Sequence, residues 1–256
     1  MRLSARSIDS QVSKSVDAKR VVEIYPLKND TTQGKHPCSG VLLAGDIVAT
    51  ASHCFLDFFL QRGQRYYVKL GDQESLAARL YYQNYAQPCR DTGILILEKN
   101  LTTPSVPLYV RCGAEWRAGN CTGYGYGLTE HNTSSTEVRE VPYKVENSTQ
   151  DELKHDTCSV ASYLTKAKPC FGDSGGPTIC NVDGKSVFVG VLSRGLPPAN
   201  RKKEMEKTKD PLAQCKICVA AGLANTNALM LLLKEIPKDD REYIFSRIKH
   251  LNCNVE

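Results

Sequence analysis

An all-β, barrel-type protein is the fold class this chain predicts, and three observations carry that expectation. Short runs rich in β-branched and aromatic residues recur with turn residues between them. The regular alternation of strand and helix patterns that a parallel sheet requires is absent. Eleven cysteines in 256 residues point to an oxidising compartment and a framework of disulfides.

The elements follow in order. Val21–Ile24 opens the series with β-branched residues around Glu23. Gly40–Leu43 and Ile47–Ala51 are apolar runs parted by the turn pair Gly45-Asp46. Tyr66–Leu70 stops at Gly71-Asp72, and Ala77–Tyr82 ends on two tyrosines. Gly93–Leu97 is an unbroken apolar run, Pro107–Val110 a short one, and Val141–Val145 and Ser186–Leu192 complete the set. Pro237-Lys238-Asp239-Asp240 starts a closing helix with an acidic first turn, and Tyr243, Ile244, Ile248 and Leu251 then repeat at helical spacing. Ala228–Leu233 reads as a buried strand or a helix start; it stops at Lys234, far short of the ~20 apolar residues of a membrane span.

A hydrophobic content of 41% is enough for a core, and the length suits one large all-β domain or two smaller ones. The net charge of +5 is modest, and the local basic excess lies in Arg201–Lys209. That run has no aromatic interleaving and no recognisable nucleic-acid module, so nucleic acid is excluded as a partner and the run reads as a solvated loop rather than a binding surface. No membrane association is expected. Met1–Ser7 lacks an apolar signal core, so a secretion signal is expected to lie outside this sequence. Asn-X-Ser/Thr sequons at Asn29, Asn100, Asn120, Asn132 and Asn147 agree with a secreted, extracellular protein.

The chemistry-bearing motif is Cys170-Phe171-Gly172-Asp173-Ser174-Gly175-Gly176-Pro177. A serine between glycines can stand free of steric cover, and the same glycines let backbone N–H groups converge on a developing oxyanion. Upstream, Val48-Ala49-Thr50-Ala51-Ser52-His53-Cys54 ends a β-rich run in a histidine. Between them Asp91 opens the apolar run Gly93–Leu97. A serine hydroxyl needs a neighbouring base, and the order His…Asp…Ser is one of the chain orders in which that relay occurs. The remaining histidines, at 36, 131, 155 and 250, lack such a context.

These motifs together resemble the chymotrypsin/trypsin-like serine proteases, in a divergent form. The resemblance covers roughly residues 21–250 and implies two six-stranded antiparallel β-barrels with a C-terminal helix. It divides the chain into an N-terminal segment, 1–20, and a peptidase domain, 21–256, with the first barrel in about 21–103 and the crossover and second barrel in about 104–256. It implies His53 as general base, Asp91 as its orienting carboxylate and Ser174 as nucleophile, with the N–H groups of Gly172 and Ser174 as oxyanion hole. Asp173 would receive a new amino terminus after activation cleavage. Ser193, Arg194 and Gly195 match the family's pocket wall, and Gly125-Tyr126-Gly127 matches a Gly-Trp-Gly segment. Implied disulfides are Cys38–Cys54, Cys121–Cys180, and Cys170 with either Cys215 or Cys218. An odd number of cysteines leaves at least one thiol free or paired with something outside the chain. Cys215-Lys216-Ile217-Cys218 could also suggest a redox or zinc site, but disulfide partners are the expectation, with no metal and no cofactor.

Three departures from the family stand out. Its Ile-Val-Gly-Gly amino terminus is missing: counting back from Val21 reaches Ser7-Ile8-Asp9-Ser10, and cleavage after Lys19-Arg20 would leave Val21 too short a reach to Asp173. Ser52 replaces the usual alanine beside His53. Lys168 occupies the pocket-floor position where a trypsin-like enzyme has aspartate, which disfavours cleavage after basic residues. An acidic substrate side chain could pair with Lys168, the preferred expectation, whereas an apolar one would fit if Lys168 folds aside. The resemblance thus implies a monomeric endopeptidase acting on proteins or peptides and open to protease inhibitors. The alternative is a catalytically silent homologue with a binding or regulatory role.

Overall fold

The computed structural model describes residues 8–28, 31–32, 38–55, 65–83, 89–112, 119–147, 156–251 and 253. The sequon at Asn29 lies outside them. The described chain enters through a two-residue strand, Gln11–Val12 (β1), and a 3-10 turn at Asp17–Arg20. The first barrel uses Val21–Lys28 (β2), extended by Thr31–Thr32 (β3), then Cys38–Ala44 (β4), Ile47–Thr50 (β5), Arg65–Leu70 (β6), Gln73–Tyr82 (β7) and Gly93–Leu97 (β8). Its order is β2-β4-β5-β8-β7-β6, and pairing of β6 with β2 closes it. Leu108–Arg111 (β9) follows the crossover.

The second barrel repeats the plan with Gly119–Gly125 (β10), Arg139–Asn147 (β11), Cys158–Tyr163 (β12), Pro177–Val182 (β13), Lys185–Leu196 (β14) and Ala220–Asn225 (β15). Its order is β10-β11-β12-β15-β14-β13, closed by β13 on β10. Every pair within each barrel is antiparallel, so the molecule is two closed six-stranded barrels. Lys249–Leu251 (β16) and β9 add a parallel edge beside β14, and β1 pairs with β11.

The apolar runs are unbroken because their two faces serve two cores. Val22, Leu42, Val48, Leu95 and Leu97 point into the first barrel. Their neighbours Val21, Val41, Ile47, Ala49, Ile94 and Ile96 point the other way, into a core shared with Phe188, Val191 and Ala224 of the second barrel. A period of two carried through a strand buried on both faces reads in sequence as continuous hydrophobicity. The shared core holds the barrels together, with the cleft between them.

Among the described residues, four α-helices follow in the second half: Lys202–Lys207 (α1), Pro211–Ile217 (α2), Thr226–Glu235 (α3) and Lys238–Arg247 (α4). Asn225 caps α3 by accepting from the Asn227 N–H at 3.0 Å, so Ala228–Leu233 resolves as helix. Arg201–Lys209 is a 3-10 turn and α1 rather than a simple loop, although most of its side chains are exposed. The closing helix starts at Pro237 as the sequence suggests but ends at Arg247. Leu251 belongs to β16, where pairing with β9 overrides helical spacing. Among the described residues no helix is long and apolar enough to cross a membrane.

Helix α4 docks on the first barrel through buried carboxylates. Asp46 accepts from Arg247 Nε at 3.1 Å and from the Tyr243 hydroxyl, while Asp240 binds Arg79 and the Tyr81 hydroxyl. Asp46→Ala removes two hydrogen bonds made to an ionised, buried acceptor and should lower unfolding free energy by about 1–3 kcal/mol in urea titrations. An unchanged midpoint would show that these bonds do not hold the helix.

Candidate active site

The serine-histidine-aspartate cluster forms where loops of both barrels meet. His53 stands in a 3-10 turn, Ser52–Phe55, pinned by the Cys38–Cys54 disulfide to the first residue of β4. Asp91 lies two residues before β8 and is 3% exposed. Its Oδ1 accepts from the His53 backbone N–H at 2.8 Å and from Ser52 Oγ at 3.0 Å. Its Oδ2 lies 2.7 Å from His53 Nδ1 and accepts from Ser193 Oγ at 2.6 Å. Burial pushes this carboxyl upward, but the hydrogen bonds and charge of His53 and the bond from Ser193 outweigh it, and the pKa falls below its ordinary value. Ser52 is therefore no idle substitution: its hydroxyl finds the carboxylate.

Ser174 sits in the turn before β13, and it shares with His53 a cavity of about 320 Å³. Gly175 must be glycine, since φ is +78° and a Cβ would stand 2.0 Å from Thr50 Oγ1. The turn is locked by Gly175 N–H to Leu192 O at 2.8 Å and Gly176 N–H to Asp173 O at 2.9 Å. Among the described residues the N–H groups of Gly172 and Ser174 have no protein acceptor, which leaves them free for a ligand oxygen. Ser39 fastens this turn to the first barrel. Its N–H donates to Ser174 O at 2.8 Å, and its hydroxyl donates to Gly172 O at 2.8 Å while accepting from the Tyr126 N–H. Sequence reasoning missed Ser39; the one signal was its place beside the bridging Cys38.

Asp173 is buried with its carboxylate between two glycines. It accepts from the N–H groups of Gly127 at 2.7 Å and Cys170 at 2.8 Å. A Cβ at Gly125 or Gly127 would stand 2.2 Å from a carboxylate oxygen. Burial raises this carboxyl to about 6 against those two bonds. Nearby, Ile8 packs on Cys170 and Cys215, and its carbonyl accepts from the Lys168 N–H at 3.0 Å. Asp9 adopts φ +54°, and Ser10 is buried. Of the dibasic pair, Lys19 is exposed, whereas Arg20 is 3% exposed and donates to the carbonyls of Pro104 and Val106.

Five disulfides join Cys38–Cys54, Cys89–Cys158, Cys112–Cys253, Cys121–Cys180 and Cys170–Cys215. Cys218 is the free thiol, buried on the cavity wall. Ser193, Arg194 and Gly195 line the cavity as expected of a wall strand, but Lys168 does not. Its ammonium donates to the carbonyls of Lys216 and Cys218, both at 2.7 Å. Met205 of α1 lines the cavity instead, and its signal was a lone apolar residue in a charged run. Cys38, His53 and Cys54 come close enough to hold an ion, yet both thiols are consumed in one disulfide, so the donor set does not suit a metal.

Two closed antiparallel barrels with a serine, a histidine and an aspartate in the cleft between them define the class of the trypsin-like serine proteases. The trypsin family model matches residues 22–207, and the chain belongs to that family. Trypsin-10 of Gadus morhua is 27% identical over 214 residues, 74% of this chain and 80% of the relative. Hypodermin-A of Hypoderma lineatum is 21% identical over 207 residues, 73% of this chain and 78% of the relative. In architecture the chain resembles human heparin binding protein, with TM-score 0.62 and 18% identity across 90% of this chain and 96% of that one.

The raised Asp173 gives a pH signature. Its folded pKa of about 6 exceeds the ordinary 3.8, so the folded chain holds the proton more tightly than the unfolded chain. The contribution to stability is full below about pH 4 and falls away as pH rises through about 6, by about 1–3 kcal/mol. Asp173→Asn should flatten this step in denaturation midpoints collected across the same range. A wild-type step that survives the substitution belongs to other groups.

Proposed function

We propose that this chain is a secreted serine endopeptidase that cleaves protein or peptide substrates through Ser174, His53 and Asp91. The observation that carries the reading is the Asp91 carboxylate, which receives His53 through both its backbone N–H and its ring while His53 and Ser174 share one cavity. In this mechanism the Asp91 bond keeps the His53 proton on Nδ1 and leaves Nε2 to take the proton of Ser174 as the hydroxyl attacks. The imidazolium then protonates the leaving amine, and Asp91 stabilises its charge. Gly172 and Ser174 N–H groups hold the oxyanion, a role in which each donor contributes about 10²–10³ in turnover elsewhere. Water repeats the sequence on the acyl-enzyme.

Activation is assigned to cleavage between Arg6 and Ser7. The new α-amino group would lie one residue before Ile8, which already packs against Cys170, three residues from Asp173. Asp9 takes the left-handed φ that a glycine would adopt without strain, so it can stand in for one of the two missing glycines. An ammonium beside Asp173 would offset its burial and fix the turn that carries Gly172 and Ser174. In this reading cleavage falls inside the N-terminal segment 1–20, at the Ser7-Ile8 position reached by counting back from Val21. Secretion is supported by the disulfides and by exposed sequons at Asn100, Asn120 and Asn132.

A fluorophosphonate probe should label the processed chain at Ser174 only. Ser174→Ala should abolish labelling and lower peptide turnover by roughly 10⁶. A processed chain that never labels is the silent homologue. Arg6→Gln should keep the protein unlabelled under treatment with trypsin, while intact mass should show wild type beginning at Ser7. Labelling that appears without that cleavage would remove the activation assignment.

A further inference from the structure

The cavity beside Ser174 holds chemistry that neither a basic nor an acidic side chain can use. Its lining contains no aspartate or glutamate, so a buried substrate cation would go without a counter-charge. Lys168, the partner the sequence suggested for an acidic side chain, spends its ammonium on the carbonyls of Lys216 and Cys218. Arg194 also lines the cavity, but on the exposed strand edge, its stem against Gly222. Burial adds no counter-charge at depth. What remains inside is mostly apolar: Pro169, Leu192, Met205 and the thiol of Cys218, with the half-exposed Phe171 at the rim; the polar Gln214 has its amide N–H donating to the Thr208 carbonyl.

Helix α1 is the source of the unusual member. Lys202, Lys203, Glu204, Glu206 and Lys207 are exposed, and Met205 alone is half-buried. Its Sδ lies 3.7 Å from Cys218 Sγ. That sulfur occupies the space a side chain at Gly195 would need, since a Cβ there would stand 2.5 Å from it. Cys218 and Met205 together close the far side of the cavity, and methionine's flexible thioether adapts to what it meets.

We infer that the cavity accepts a medium-sized apolar side chain on the residue preceding the cut bond, such as leucine, methionine or phenylalanine, and that Met205 determines this choice. The inference rests on the endopeptidase reading and names its substrate class. Met205 is a specificity-determining residue: it touches the substrate side chain and takes no part in bond cleavage. The preferred acidic expectation from the Lys168 position is thereby replaced.

The test is a peptide series varied at that one residue, cleaved by the processed chain. Leucine, methionine or phenylalanine should exceed arginine, lysine, aspartate and glutamate in kcat/KM by about 10²-fold or more. Met205→Leu should preserve the ranking. Met205→Ala should move the optimum toward tyrosine and tryptophan, and Met205→Glu should promote arginine above leucine. Thermal melts show that each variant is folded, and α1 is exposed enough to tolerate them. A basic or acidic optimum in wild type, or a ranking indifferent to Met205→Glu, overturns the inference. Pocket selectivity is also read without turnover, by calorimetry of Ser174→Ala with peptides ending in leucine, arginine or glutamate. If wild type does not cleave but the leucine peptide binds best and loses its lead on Met205→Glu, the endopeptidase reading fails and the pocket assignment stands. If cleavage occurs with the opposite selectivity, the pocket assignment alone fails.

Discussion

Asp91 is the point on which the cleft depends. A buried carboxylate left unpaired would cost several kcal/mol, so its neighbourhood must supply donors. Ser52 and His53 provide three from the first barrel, and Ser193 provides one from β14 of the second. The same four bonds that make the charge tolerable also orient the imidazole and tie the barrels at the base of the cleft. Ser39 repeats the tie on the opposite side, joining β4 to the turn that carries Ser174. The shared apolar core brings the barrels together without fixing direction, since hydrophobic attraction is non-directional. These polar bridges set the register of the two halves.

Asp173 shows what the same side chain becomes with fewer donors. Two backbone N–H groups do not offset its burial, and its pKa rises where that of Asp91 falls. Gly125 and Gly127 leave room for the carboxylate but bring no positive charge. An enclosed carboxylate destabilised as an anion and flanked by the packed Ile8 supports the proposed activation, in which a cation would arrive after cleavage.

The long strands of the first barrel were legible because β2, β4, β5 and β8 are rich in valine, isoleucine and leucine on both faces. Several second-barrel strands were not. Gly119–Gly125, Cys158–Tyr163 and Ala220–Asn225 are built from glycine, alanine, serine and cysteine, whose β propensity is weak, and tertiary pairing decides their state. The candidate site was legible through Ser174, His53 and Asp91 because their motifs are local. Ser39 and Met205 act across long sequence separations, and no local pattern encodes that. Lys168 illustrates the converse: its position follows from spacing to Ser174, but where its ammonium goes depends on carbonyls some 50 residues further on.

On the proposed reading, the chemistry and the selectivity of this cleft have different origins in the chain. The proposed reacting groups hang from the barrel strands and their turns. The cavity wall comes partly from the stretch between β14 and β15, which carries α1 and α2. That stretch supplies Met205, Cys215 and Cys218, and the Cys170–Cys215 bridge anchors it to the strand-side turn that precedes Ser174. Because Cys170 takes Cys215, Cys218 stays a thiol and can fill the space beside Gly195. Disulfide choice thus shapes the cavity as directly as the side chains do. A change confined to α1 or α2 can alter what enters without touching Asp91, His53 or Ser174, whose bonds lie entirely within the barrels and their turns.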